Sequence, residues 1–213
     1  MLVDAEILEI SIRAVIISGT ATLLAACWSI PMAHALASRH RSELITSILE
    51  ALVGIPTVLV GLLLYFLLST RGPLGFLRML YTPQAIIVGQ SILVTPLIAS
   101  TSYRVLRRSI EVYGELALSL GASNRQAMVL VLQESLPGLL ASMVMGFSRA
   151  LGELGVALMV GCNIRGYTRV LTTAIVLEVS KGEFERAIAL GFILIIISTA
   201  VSIILKILRR LSL

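Results

Sequence analysis

Arg149 and Glu153 stand four residues apart in a stretch, residues 138–160, that otherwise carries no charge. On a helix, residues at that spacing share a face. Charges at membrane depth are costly, and by default they are paired, face a bundle interior and mark a pathway. Two readings follow: a polar element on a transport route, or an intrahelical ion pair that locks a bundle contact. Gly146, Gly152 and Gly155 would let other backbones come close to the pair, which favours the first reading. Gly54 and Pro56 interrupt a second apolar stretch, where a kink is tolerated if it lines a cavity; Gly61 reads as a helix-packing position. Glu134 and Glu178 fall near apolar borders and are expected to be solvated.

Several chemistries are absent. Without G-x-x-x-x-G-K-[ST] the chain has no loop to cradle ATP phosphates. H-E-x-x-H and G-x-S-x-G are also missing, and His34 and His40 have no carboxylate partners at ligand spacing. Two cysteines, Cys27 and Cys162, make neither a disulfide framework nor a zinc site. No catalytic residue, no metal and no cofactor are expected in this chain.

The elements that must position Arg149 and Glu153 are membrane spans. The 213 residues are 57% hydrophobic and 14% charged, where a soluble domain carries nearer a quarter charged residues. Apolar runs predict spans over about 10–37, 44–68, 85–101, 138–160 and 187–205, the third kinked by Pro96. Arg13 is expected at the interface. Val170–Val179, ten residues, is too short to cross and is expected to lie at the interface or dip into it. The acid-led start, MLVDAEILEI, lacks a basic signal region, so the first span is expected to be retained.

The net charge of +5 reads as topology and not as a nucleic-acid footprint, because the bases sit in short loops. With the N-terminus outside, nine bases face inward (Arg39, Arg41, Arg104, Arg107, Arg108, Arg125, Lys206, Arg209, Arg210). Five face outward (Arg71, Arg78, Arg165, Arg169, Lys181). The positive-inside rule therefore favours N-out, C-in, and places residues 103–137 in the cytoplasm. A secondary transporter working alone would show repeated broken helices; Pro56 and Pro96 lie in successive spans, but their flanking sequence does not repeat.

Within that polar loop, Gly121 can end one helix in the left-handed conformation, and Ser123 with Gln126 forms a capping box that opens another. Pro137 is expected to end the second helix and set up the next span. Two short helices with a sharp break suit a docking element on the membrane surface. Leu116 and Leu120, four apart, give the first helix an apolar ridge.

Glu115, Leu116, Ala117 and Gly121, followed by Leu136 and Pro137, resemble the EAA loop of ABC importer permeases. Leu116 replaces an Ala of the family pattern. The Gly-to-Pro interval is 16 residues, three more than in the general pattern, nearly one added turn. That interval is similar to the tungstate-importing branch, as are Ile55–Leu64, Arg71–Gly75 and Gly161–Ile175. Molybdate and sulfate permeases share the general arrangement, including a Gly-Glu near Gly152-Glu153.

The resemblance implies an all-α membrane protein of the type I importer permease fold, one domain over residues 1–213. Its implied partners are a second copy, cytoplasmic ATPase subunits that hold ATP-Mg, and an extracytoplasmic oxyanion-binding protein. It implies an ATPase-coupling role for Glu115, Leu116, Ala117, Leu120, Gly121, Ala122 and Ser123. The expected pathway or gate residues are Pro56, Arg149, Glu153 and Asn163, and the expected location is the cytoplasmic membrane of a prokaryote.

Overall fold

The computed structural model of the chain describes residues 2–39 and 43–211, with side chains for 5–39 and 44–203. His40 and Arg41, and the side chains of Lys206, Arg209 and Arg210, lie outside those described residues, so that part of the charge count stays with the sequence.

Among the described residues nine α-helices follow in order: α1 Leu2–Ala37, α2 Glu43–Leu52, α3 Thr57–Leu68, α4 Pro83–Ser109, α5 Glu115–Ser119, α6 Asn124–Leu151, α7 Gly155–Gly161, α8 Leu171–Ser180 and α9 Phe184–Leu211. Four stretches are long and apolar enough to cross a membrane, and α2 with α3 makes a fifth if the bent pair counts as one span.

The bundle is built on small residues. Ala14, Ala21, Ala25, Ala33 and Ala37 are buried along α1, which packs against α4. Helix association in lipid gains nothing from burying apolar surface as such, so close backbone approach supplies the contact energy. The same device seats α6 on α4: a Cβ at Gly146 would lie 2.6 Å from Ile98, and one at Gly138 would lie 2.5 Å from Val105. Thr82 caps α4, accepting from Ala85 N at 3.4 Å, with Pro83 in the first turn where its missing donor costs nothing.

Tracing these contacts orients the spans. Ser29 meets Thr95, and Ala37 O accepts from Arg107, so α1 and α4 run the same way. The bent pair α2–α3 must therefore return between them. Helix α6 runs back against α4, and α9 makes the last crossing, which leaves the start of α1 and the end of α9 on opposite sides.

Three expected boundaries are corrected. The span expected over 44–68 is two helices that meet at 89° around Gly54–Pro56, because Pro56 takes an extended ψ of 120° and cannot prolong α2. The span expected from Gly138 belongs to a helix that starts at Asn124 and passes straight through Pro137. Proline removes one ladder donor, which leaves the Gln133 carbonyl without its bond; a membrane helix tolerates that loss where other groups serve the carbonyl. That helix also stops at Leu151, short of the expected Val160. Val170–Val179 folds as a short apolar helix, α8, whose first turn (Leu171–Ala174) is buried.

Candidate coupling hairpin and mid-span junction

The EAA-like stretch is not two short helices on a loop. Helix α4 runs on through a π-turn, Ile110–Gly114, into α5, a single apolar helix over Pro83–Ser119. The π-turn places Gly114 against α6, where a Cβ would sit 3.4 Å from Val131. Ala117, Ala127 and Val131 are buried between the two arms.

The turn itself is four residues. Gly121 has φ +86°, and the bonds Gly121 N–Leu118 O (3.0 Å) and Ala122 N–Ala117 O (3.0 Å) form a Schellman close. Ser123 then opens α6: its N–H donates to Gln126 Oε1 at 2.8 Å, and Gln126 N donates to Ser123 Oγ at 3.4 Å. Such a cap is worth about 1 kcal/mol. The sequence-derived break and capping box are thus found as expected, as the tip of a hairpin between two long helices. The three extra residues before Pro137 lengthen α6 and create no second element.

The hairpin presents apolar side chains outward. Leu116 is 55% exposed and Leu120 80%, with Val112 and Tyr113 one turn earlier on the same arm. Among the ATPase-coupling candidates, Ala117 is buried as the packing face, while Glu115, Leu116, Leu120, Gly121 and Ser123 face outward. Arg107 ties this arm to the bundle, bonding Glu111 at 2.7 Å and the Ala37 carbonyl at 3.1 Å.

The second site is where the bend between α2 and α3 meets the end of α6 and the start of α7. Glu153 lies beyond the end of α6, so the pair with Arg149 is not the regular intrahelical one that the spacing suggests. It forms nonetheless: Arg149 Nη1 reaches Glu153 Oε2 at 2.7 Å, with Glu153 2% and Arg149 36% exposed. Glu153 Oε1 accepts from Val156 N at 3.1 Å, which puts a carboxylate on the positive end of α7. Thr172 Oγ1 donates to the Glu153 carbonyl at 2.8 Å, and Gln90 Nε2 to the Ala150 carbonyl at 3.1 Å. Backbone groups released by the break are thereby satisfied inside the protein, the condition for irregular backbone at membrane depth.

Helix α3 starts at the same place. A Cβ on Gly155 would lie 2.5 Å from Thr57 Oγ1 and 2.8 Å from Val58 N; one on Gly61 would lie 2.8 Å from Met159 Cβ. The two half-helices therefore run parallel in close contact, their N-termini side by side. Pro56 and Glu153 sit just before those termini, so the structure brings Pro56, Arg149 and Glu153 together.

Asn163 is not with them. It follows α7 at the far end, in left-handed conformation (φ 51°), accepting from Arg169 Nε at 3.2 Å. There Glu6 binds Arg165 (2.7 Å) and Arg169 (3.2 Å), while Arg13 donates to the carbonyls of Arg169 and Gly166. Glu178, expected to be solvated, is 12% exposed and paired with Lys181 at 2.9 Å; its α8 position tucks it behind α9. Glu134 is exposed as expected. The sequence reading missed Gln90, Thr172 and Glu6. Gln90 had a signal, as an uncharged amide in an otherwise apolar span, whereas Thr172 and Glu6 acquire partners only through the fold.

The family described as binding-protein-dependent transport system inner membrane component matches residues 25–212. The chain belongs to that family. It is 37% identical over 204 residues to the tungstate uptake system permease protein of Peptoclostridium acidaminophilum, covering 95% of this chain and 90% of that protein. It is 34% identical to a probable anion ABC transporter permease protein of Haloferax volcanii, covering 84% and 80%. In fold it matches a chain from the crystal structure of an amino acid ABC transporter with histidines: TM-score 0.64, 15% identity, covering 97% and 94%. The all-α fold is thus that of an ABC transporter permease, and the chain is a multi-pass membrane transport subunit.

Proposed function

We propose that this chain moves a tetrahedral oxyanion, tungstate, into a prokaryotic cytoplasm as one of two permease copies in an ABC importer. Cytoplasmic ATPase subunits bind ATP-Mg and hydrolyse it; an extracytoplasmic binding protein delivers the anion; this chain holds no ATPase site. The N-terminus is outside and the C-terminus inside. The observation that carries the reading is the exposed Leu116–Leu120 ridge on an arm continuous with a membrane span.

Nucleotide-driven closure of the ATPases displaces Leu116 and Leu120, seated in a groove of the partner. Because α5, the π-turn and α4 form one continuous helix, that displacement reaches the bundle as rigid-body motion. Helix α4 bears on the junction: Gln90 holds the end of α6, and Gly89 lies against Val156 of α7. Rocking α4 therefore moves the paired half-helices and opens the route on one side or the other.

The N-terminus of α3, which has no side-chain cap, carries positive partial charge and suits an anionic cargo. Arg149, held by a buried carboxylate on one side and partly exposed on the other, supports the same role. Glu153 fixes the guanidinium and limits its attraction, so that the anion passes and does not lodge.

The test is competition. With the chain assembled with its ATPase and binding protein in proteoliposomes, tungstate uptake should resist a large excess of sulfate and a smaller excess of molybdate. Molybdate or sulfate taken up in preference would assign the system to that oxyanion instead.

A further inference from the structure

At the end of the bundle away from the hairpin, a cavity of about 580 Å³ opens between α1, α8, α9 and the loop that follows α7. Arg165, Arg169, Lys181 and Arg186 line it, against two carboxylates, Glu6 and Glu178. Each carboxylate is taken by a cation: Glu6 by both loop arginines, and Glu178 by Lys181. Arg186 is 4.0 Å from Glu178, beyond hydrogen-bond distance, and Arg165 is 73% exposed. Among the described lining residues, two positive charges are therefore in excess.

Its floor is apolar, with Ile7, Ile10, Leu177 and Leu190, and it continues into a second furrow of about 410 Å³. Ile7 is common to both; Leu8, Ser11, Ile193 and Ile197 line the second, between α1 and α9. Ile193 and Ile197 are more than two turns past the start of α9 at Phe184, so the furrow descends toward hydrocarbon depth.

A cationic basin at the polar boundary leading into an apolar furrow has the form of a phospholipid, headgroup above and acyl chain below. Basic pockets between membrane helices recognise anionic headgroups in this way. Glu178 Oε2 adds a discriminating feature, since it is buried and without a hydrogen-bond partner. A buried acceptor left unsatisfied is costly, and a headgroup hydroxyl would satisfy it. We infer that this basin and furrow bind one anionic glycerophospholipid with a hydroxyl-bearing headgroup, its phosphate among Arg165, Arg169, Lys181 and Arg186 and an acyl chain along Ile193 and Ile197.

The site is distinct from the oxyanion route, which lies at Arg149 and the half-helix termini. It needs no second copy of the chain and no ATPase.

Purified full-length chain in detergent is titrated with phosphatidylglycerol, phosphatidylcholine, inorganic phosphate and tungstate, and retained ligand is read by native mass spectrometry. Phosphatidylglycerol should bind one per chain, and the other three should not. Arg165→Gln with Arg186→Gln leaves each carboxylate one cation, so the fold is preserved. At roughly fivefold per surface cation, that double variant should weaken binding about thirtyfold. Ile193→Trp, which fills the furrow and leaves the charges intact, should also reduce it. Equal retention of phosphatidylcholine, undiminished binding in both variants, or phosphate or tungstate bound without lipid would each overturn the inference.

Discussion

Glu153 and Arg149 differ by more than sign. Glu153 is sealed at 2% exposure, while Arg149 is 36% exposed. Removing one partner of a fully buried ion pair costs roughly 3–5 kcal/mol, because the other is left charged and unpaired. That cost depends on which group stays behind. Arg149→Gln strands a sealed carboxylate that keeps only the Val156 N–H, and should lower the thermal midpoint in detergent well below that of Glu153→Gln. In Glu153→Gln the remaining guanidinium is partly solvated, and the amide oxygen still accepts from Val156. That variant should assemble normally and transport poorly. Equal destabilisation by the two would show that Glu153 is not the buried member, and normal uptake in Glu153→Gln would reduce the pair to packing. The spacing of the two residues disclosed that they meet. It did not disclose that a helix ends between them, because glycine is frequent inside membrane helices, so Gly152 does not by itself mark an end.

In the proposed mechanism the hairpin and the half-helices act as rigid pieces. At the hairpin tip Leu120 is 80% exposed, so Leu120→Asp removes no internal contact and should leave the melting profile unchanged. It should abolish co-purification with the ATPase; an intact complex on gel filtration would place the docking surface elsewhere. At the junction the constraint is close approach. Gly155→Ala puts a methyl against Thr57 Oγ1 and the Val58 backbone, an overpacking that costs about 1–3 kcal/mol. Gly191→Ala on α9 meets nothing within 4 Å and should stabilise by about 0.5–1 kcal/mol. Thermal unfolding of the two variants compares them directly, and similar midpoints would contradict the tight α3–α7 contact. The hairpin was readable because its grammar is local: Gly121, Ser123 and Gln126 each act within a few residues. The continuity of α6 through Pro137 was not, since proline is a helix breaker in water and a tolerated interruption in a bundle.

For the molecule as a whole, apolar run length located the four long apolar helices and the bent α2–α3 pair in sequence, because a bilayer sets the length of what spans it. The network at the far end was invisible. Glu6, Arg13, Arg165 and Arg169 come from regions more than 150 residues apart, and only folding reveals that Arg165 and Arg169 gather on Glu6 while Arg13 holds the carbonyls of their loop. Those contacts close one end of the bundle while the hairpin caps the other, with the half-helix junction between them. On the proposed function, ATP hydrolysed by the partner subunits and transmitted through the hairpin is the sole source of motion at the junction. Proteoliposomes holding the chain with its ATPase and binding protein, supplied with labelled tungstate, test this most directly. Accumulation should require internal ATP and the ATPase subunits, and should cease in Leu120→Asp; accumulation by the chain alone under an ion gradient would contradict it.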